Sequence, residues 1–135
     1  MKRETFDLNA RLVDFACLII EVSEALPSSV AGSHLASQLI RSGTAPALQY
    51  GEAQGGESRN DFIHKMKVAL KELRESYNCL KIILKLNWHQ ADKMKFILDE
   101  NNQLISIFVT SVLTAQRNTE AEKSLTREKR KQSPT

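Results

Sequence analysis

Apolar residues recur at alternating intervals of three and four along most of the chain, a spacing typical of the buried face of an α-helix. The first such run begins at Leu8 and ends at Leu26. Pro27 follows it, and a proline disfavours the helical conformation in the residue before it. Asp7 or Asn9 is placed to cap the first turn. The pattern therefore predicts a first helix between the two leucines.

The clearest run lies in the middle of the chain and predicts a long helix from Ser58 to Leu86. Its inward positions follow the same spacing without a break: Ile63, Met66, Leu70, Leu73, Tyr77, Leu80 and Leu84. Ser58, with Asp61 three residues later, resembles a capping box, in which two side chains satisfy free amides of the first turn. A wide apolar stripe of this kind is typical of a helix in a bundle.

A shorter run between these two helices is interrupted by Pro46, which lacks an amide hydrogen and disfavours a helix interior. Gly43 and its neighbours are small, so another helix can approach closely there. We interpret residues 28–53 as one helix, capped by Ser28 and kinked near the proline. The glycines at 55 and 56 then form the turn.

After the break "LNWHQAD", residues 86–92, a fourth run predicts a helix that ends near Arg117. Asn101 falls on its inner stripe. A buried Asn costs stability but can fix the register of packed helices. The other interpretation places Asn101 at the boundary of the core, and we favour it.

Beyond Arg117 apolar residues almost vanish, and six basic residues from there onward oppose three acidic ones. This excess of three accounts for the net charge of +3 of the whole chain. The sequence predicts an all-α, antiparallel up-and-down four-helix bundle over residues 1–117. A basic polar tail, frayed or disordered, is predicted over residues 118–135.

Motifs of catalysis and membrane insertion are missing from the sequence, which contains no phosphate-binding or dinucleotide-binding glycine pattern and no long apolar run. His64 follows Asp61 at helical spacing, but one such pair falls short of a metal site in a bundle. Cys17 and Cys79 are predicted to be buried reduced thiols, although a disulfide between them stays open. We expect a cytoplasmic protein without enzymatic activity, cofactor, metal or small-molecule substrate.

Residues 38–76, "QLIRSGTAPALQYGEAQGGESRNDFIHKMKVALKELRES", closely resemble the four-helix-bundle family of the 23S rRNA intervening sequences. The matching positions in the second helix are Gln38, Leu39, Arg41, Ser42, Gly43, Thr44, Tyr50, Glu52 and Ala53. At the third helix they are Glu57, Ser58, Arg59, Asp61, Phe62, Lys65, Met66, Ala69, Leu70, Lys71, Glu72 and Glu75. The resemblance extends over roughly residues 8–117. Pro46, Gln49 and Cys79 depart from the family pattern.

The resemblance implies a ring-shaped homo-oligomer, most simply a homopentamer. It also implies RNA, DNA or a nucleoprotein as a candidate partner, since a related accessory protein of retroelements binds a reverse transcriptase and nucleic acid. The specific role of the family is not implied.

Two sets of charged residues are candidates for function. The candidate nucleic-acid contacts are Arg127, Lys129, Arg130, Lys131, Lys67, Lys71 and Arg74. Lys65, Lys81 and Lys85 of the third helix add to them, although acidic residues alternate with these bases along the sequence. The polar residues of the family pattern are Arg41, Glu52, Glu57, Arg59, Asp61, Lys65 and Glu72.

Each set has a second interpretation. The basic tail could be merely solvated, and the polar residues could form ion pairs between helices or between subunits. The sequence thus predicts an oligomeric binding or assembly module, with a structural protein-binding subunit as the alternative.

Overall fold

The computed structural model describes residues 7–56 and 58–132, which form four α-helices and no strand. The helices are α1 (Leu8–Glu24), α2 (Val30–Gln54), α3 (Arg59–Lys85) and α4 (Ala91–Gln132). Consecutive helices pack against each other, most extensively α2 against α3, while α1 and α4 touch along a short line. The predicted all-α, up-and-down four-helix bundle is confirmed.

Side-chain caps fix where three helices begin. Asp7 accepts a hydrogen bond from the Ala10 amide at 3.0 Å, and Ser58 accepts one from the Asp61 amide at 3.1 Å. The predicted cap Ser28 was wrong by one residue, because Ser29 takes extended backbone angles and accepts from the Gly32 amide at 3.0 Å. Each cap satisfies an amide that has no partner within its helix.

The second helix runs through Pro46 without a break. Pro46 and Gly43 are both buried on its inner face. A Cβ atom added to Gly43 would lie 2.5 Å from Cγ2 of Ile19, so α1 could not pack as it does against any larger residue. The predicted close approach of a neighbouring helix at this small-residue face is therefore confirmed, and the neighbour is α1.

The core is built from the apolar stripes, and it contains one buried polar network. Asn101 is fully buried, and its Nδ2 donates to the Leu73 carbonyl at 2.9 Å. Its Oδ1 accepts from the Ser76 hydroxyl at 2.8 Å. The preferred boundary position for Asn101 was wrong. The side chain stays inside because α3 offers it one acceptor and one donor, which offsets the cost of burying an amide.

The two cysteines are free thiols in different surroundings. Cys79 is buried as predicted, and burial raises the pKa of its thiol. The predicted burial of Cys17 was wrong, because Cys17 lies on the outward side of α1, two positions from the inward-facing Phe15 and Ile19. Residues two positions apart on an α-helix point to nearly opposite sides, so Cys17 points away from the buried face that contains Phe15 and Ile19.

The fourth helix continues far past Arg117, and here the structure differs from the expected disordered or frayed tail. Residues 118–132 are helical, although nearly all of them are exposed. We call residues 123–132 the α4 extension, because the last ion pair between α4 and another helix is made by Glu122. It is about 15 Å long. None of the helices in the described ranges is long and apolar enough to span a membrane.

Candidate functional site

The outward face of α3 carries a row of basic side chains. Its members, which we call the α3 basic stripe, are Lys67, Lys71, Arg74, Lys81 and Lys85. All five are exposed. Successive residues of an α-helix are rotated by about 100°, so this spacing confines the five side chains to an arc of about 80°. The row is about 27 Å long at the rise of an α-helix.

The acidic residues that alternate with these bases in the sequence lie on another side of α3, toward α2. Arg41 of α2 donates to Glu72 at 2.8 Å and to both oxygens of Glu75 at 2.6 Å. Gln38 accepts a further bond from the same guanidinium at 2.9 Å. Glu72 and Glu75 therefore face Arg41 rather than the outward side of α3, although Glu75 still lies close enough to Lys71 for that ammonium to contribute to its lowered pKa.

Arg41 and burial have opposite effects on the pKa values of Glu72 and Glu75, the two carboxyl groups that Arg41 joins. The hydrogen bond from Arg41 lowers the pKa of Glu75. Burial raises the pKa of Glu72, and its hydrogen bond with Glu75 acts in the same direction. Glu72 is the more enclosed side chain, 17% exposed against 39% for Glu75, which agrees with the larger effect of burial there.

The remaining polar residues of the family pattern lie near the turn between α2 and α3. Lys65 pairs with Glu52 at 3.3 Å, and Arg59 pairs with Glu122 of α4 at 2.8 Å. Asp61 lies in the capped first turn of α3. Glu57 lies outside the described residues. Each ion pair joins two helices within one chain, so whether these residues also face a second subunit stays a prediction.

The basic residues of the C-terminal run do not join the stripe. Arg127, Lys129, Arg130 and Lys131 are exposed on the α4 extension, beyond the end of α3 that carries Arg59. The stripe begins only at Lys67, about 12 Å farther along α3 in the opposite direction. The structure thus divides the candidate nucleic-acid contacts into two separate surfaces.

One polar contact escaped the sequence analysis. Arg11 of α1 forms a bidentate ion pair with Glu100 of α4, at 2.8 Å from Nε and 2.6 Å from Nη2. Gln103 accepts a third bond from the same guanidinium at 2.8 Å. Arg11 and Glu100 are 89 positions apart in the sequence, so no local spacing could have indicated the pair.

Farther along the two helices, α1 and the beginning of α4 line a groove of about 490 Å³. Leu18, Val22, Phe96 and Ile97 form its apolar wall, and polar side chains including Glu21 stand around them. Phe96 is 64% exposed. Over residues 7–56 and 58–132, no three His, Cys, Asp or Glu side chains come together in a way that could hold a metal ion.

The sequence matches the family described as 23S rRNA-intervening sequence protein over residues 4–110. This chain belongs to that family. The match spans α1, α2, α3 and the first part of α4, whereas the α4 extension lies beyond it. The family resemblance drawn from residues 38–76 is confirmed.

A solved structure is similar in fold. It is described as a protein of unknown function from the S23 ribosomal protein family of Bacteroides thetaiotaomicron VPI-5482. The TM-score is 0.73 at 23% sequence identity, and the match covers 78% of this chain and 98% of the other. No curated protein matches this chain. The solved structure supports the bundle fold.

Proposed function

We propose that this protein is a non-enzymatic, oligomeric binding module that associates with RNA or with a nucleoprotein. The observation that carries the proposal is the α3 basic stripe, five exposed cations on one helix face from which the acidic residues have been turned away. Rows of Lys and Arg attract the phosphate backbone of nucleic acids whatever the sequence. Membership of a family described by an rRNA insertion is consistent with such a partner.

Exposed apolar side chains favour the oligomeric part of the proposal. Val13 and Ile20 lie seven residues apart on the outward side of α1, and Ile40 and Leu48 lie eight apart on α2. Single exposed apolar residues are ordinary, but Val13 and Ile20 share one side of α1, and paired apolar residues on one helix face favour a contact with another chain. We propose a homo-oligomer, and a homopentamer by resemblance to the family.

Light scattering coupled to gel filtration tests the assembly. At tens of micromolar protein we expect a mass several times the 15.2 kDa of one chain. A stable monomer would remove the ring from the proposal. Val13→Lys together with Ile20→Lys should lower the mass if α1 takes part in the contact.

A salt series with generic RNA tests the nucleic-acid part. Fluorescence anisotropy at about 50 mM salt should show binding at micromolar concentration or tighter, and it should weaken steeply toward about 200 mM. Absence of any binding at the lower salt would leave the alternative function, a structural subunit that binds another protein.

The groove between α1 and α4 favours that second candidate. An apolar wall with an exposed Phe96 and a polar rim resembles grooves that receive an amphipathic helix. Phe96→Ala would weaken the binding of such a helix without affecting the binding of RNA.

We also propose a cytoplasmic location. Cys17 and Cys79 are free thiols, as is usual in a reducing compartment, and RNA partners are found there.

A further inference from the structure

The α3 basic stripe is a rigid row. Its helix is anchored on the inner side by Met66, Leu73 and Leu80, all fully buried. The hydrogen bonds from Asn101 and Ser76 to the α3 backbone and to each other fix α3 against α4. The backbone positions of the five basic residues are therefore fixed relative to one another, and a partner with a regular phosphate path can meet several of their side chains without ordering the helix first.

On the outward face of α3, one uncharged polar residue and no acidic one lies between the five basic residues of the α3 basic stripe. Asn78 is exposed midway between Arg74 and Lys81, where the helical spacing would otherwise leave a gap. Neighbouring members of the row are three or four residues apart, which separates their Cβ atoms by about 5–6 Å. A phosphate or sugar oxygen can accept a hydrogen bond from each of these side chains.

The row offers no platform for stacking of unpaired bases. Tyr77, the aromatic residue beside it, is half-buried, and the Lys81 ammonium lies 5.3 Å from the centre of its ring. Proteins that bind single strands usually combine a basic groove with exposed aromatic rings. Phe96, which is exposed, belongs to the groove between α1 and α4.

From these observations we infer that the α3 basic stripe binds the phosphate backbone of double-helical nucleic acid in preference to a single strand. This inference rests on the proposed function and makes it more specific. About 27 Å of contact corresponds to somewhat less than one turn of a B-form DNA duplex, whose pitch is about 34 Å. Contacts to phosphates alone carry no sequence information, so binding is independent of base sequence.

Two variants with the same change of net charge test the inference. The stripe variant carries Lys67→Gln, Lys71→Gln, Arg74→Gln and Lys81→Gln. The control variant carries Arg127→Gln, Lys129→Gln, Arg130→Gln and Lys131→Gln on the α4 extension. Both change exposed residues only, and circular dichroism would verify that both stay folded.

Binding is measured across a salt series with three probes of about 21 base pairs or nucleotides, roughly two duplex turns. The probes are duplex RNA, duplex DNA and one RNA strand alone. We expect the wild type to bind a duplex more tightly than the single strand. Comparison of the two duplexes shows whether the preferred partner is RNA or DNA. The stripe variant should lose at least about tenfold in duplex affinity, and its salt dependence should fall by about one unit of slope per lost contact.

Three other outcomes would contradict either the inference or the proposed function. Equal losses in the two variants would mean that net charge alone governs binding, and the inference would be wrong. Tighter binding to the single strand would also overturn it. Binding to none of the probes by the wild type would instead remove the proposed association with nucleic acid. A charge-preserving variant, Lys67→Arg with Lys71→Arg and Lys81→Arg, should keep the duplex affinity.

Discussion

Gly43 marks the closest approach of α1 to α2, and it allows a sharp prediction about stability. In Gly43→Ala the new methyl group would overlap Ile19, which has no exposed surface and little room to move. We expect a net loss of up to about 2 kcal/mol in the free energy of unfolding, because overpacking costs about 1–3 kcal/mol and the gain in helix propensity offsets up to about 1 kcal/mol of it. Urea denaturation measures the change.

Gly51 supplies the matched control for this substitution. It lies on the same helix, and a Cβ atom there would meet no other atom within 4 Å. Gly51→Ala should therefore stabilise the protein by up to about 1 kcal/mol. If the two alanine variants unfolded at the same urea concentration, the tight contact between Gly43 and Ile19 would be refuted.

The buried amide of Asn101 carries a second prediction at the scale of the residue. Asn101→Ala removes the donor to the Leu73 carbonyl and the acceptor of the Ser76 hydroxyl, and it leaves a cavity. We expect a loss of about 2–4 kcal/mol in unfolding free energy. The exposed neighbour is the control, and Asn102→Ala should change stability by less than about 0.5 kcal/mol. A similar small effect for both would place Asn101 at the surface.

The packing of α2 on α3 gives a prediction about pH at the scale of the element. Because Arg41 lowers the pKa of Glu75 below its ordinary value of 4.5, this ion pair stabilises the fold above that pH. Its contribution is lost as the pH falls through the lowered pKa. Glu72 acts in the opposite sense, since its raised pKa means that its ionisation opposes folding as the pH rises above 4.5.

Arg41→Gln should consequently lower the melting temperature at neutral pH, where Glu75 is charged and would lose its cation. The difference from the wild type should shrink as the pH falls through the lowered pKa of Glu75, where this carboxyl group becomes protonated in both proteins. Arg74→Gln, which removes a cation without an ion pair to the described residues, is the control and should show no such dependence. A difference that stayed constant with pH would exclude the ion pair as its cause.

The α4 extension provides the other prediction about an element. A chain that ends at Lys123 should keep its melting temperature within a few degrees, because the removed residues are exposed and the pair between Arg59 and Glu122 remains. Far-ultraviolet circular dichroism should show the loss of about nine helical residues, those of 124–132. An unchanged helical signal would indicate that this segment is disordered in solution, as the sequence analysis expected.

Periodicity failed for this segment because it detects buried faces, and the α4 extension buries none. The segment contains Leu, Glu, Gln, Lys and Arg, which have high helix propensity, and neither Gly nor Pro before Pro134. Intrinsic propensity therefore continues a helix that packing has already begun. A different cause keeps α2 helical through Pro46, where buried residues on both sides of the proline outweigh the lost amide.

For the molecule as a whole, the sequence predicted what depends on burial of apolar stripes: four helices, their order and most of the core. It located both candidate sets of charges, but it did not show their segregation, which depends on the rotation of Glu72 and Glu75 toward Arg41. It missed the bond between Arg11 and Glu100, because residues distant in sequence leave no local pattern. The burial of Asn101 and the exposure of Cys17 likewise depend on what the neighbouring helix offers.

The short line of contact between α1 and α4 has a consequence for the order in which the bundle opens. One flank of α1 packs on α2, whereas the other meets α4 only along this short line and is joined to it by the bidentate pair of Arg11 with Glu100. In native-state hydrogen exchange, the amides of α1 should lose protection at urea concentrations that leave α3 protected. The molecule would then pass through a three-helix intermediate, with α1 as the least stable cooperative unit of the fold.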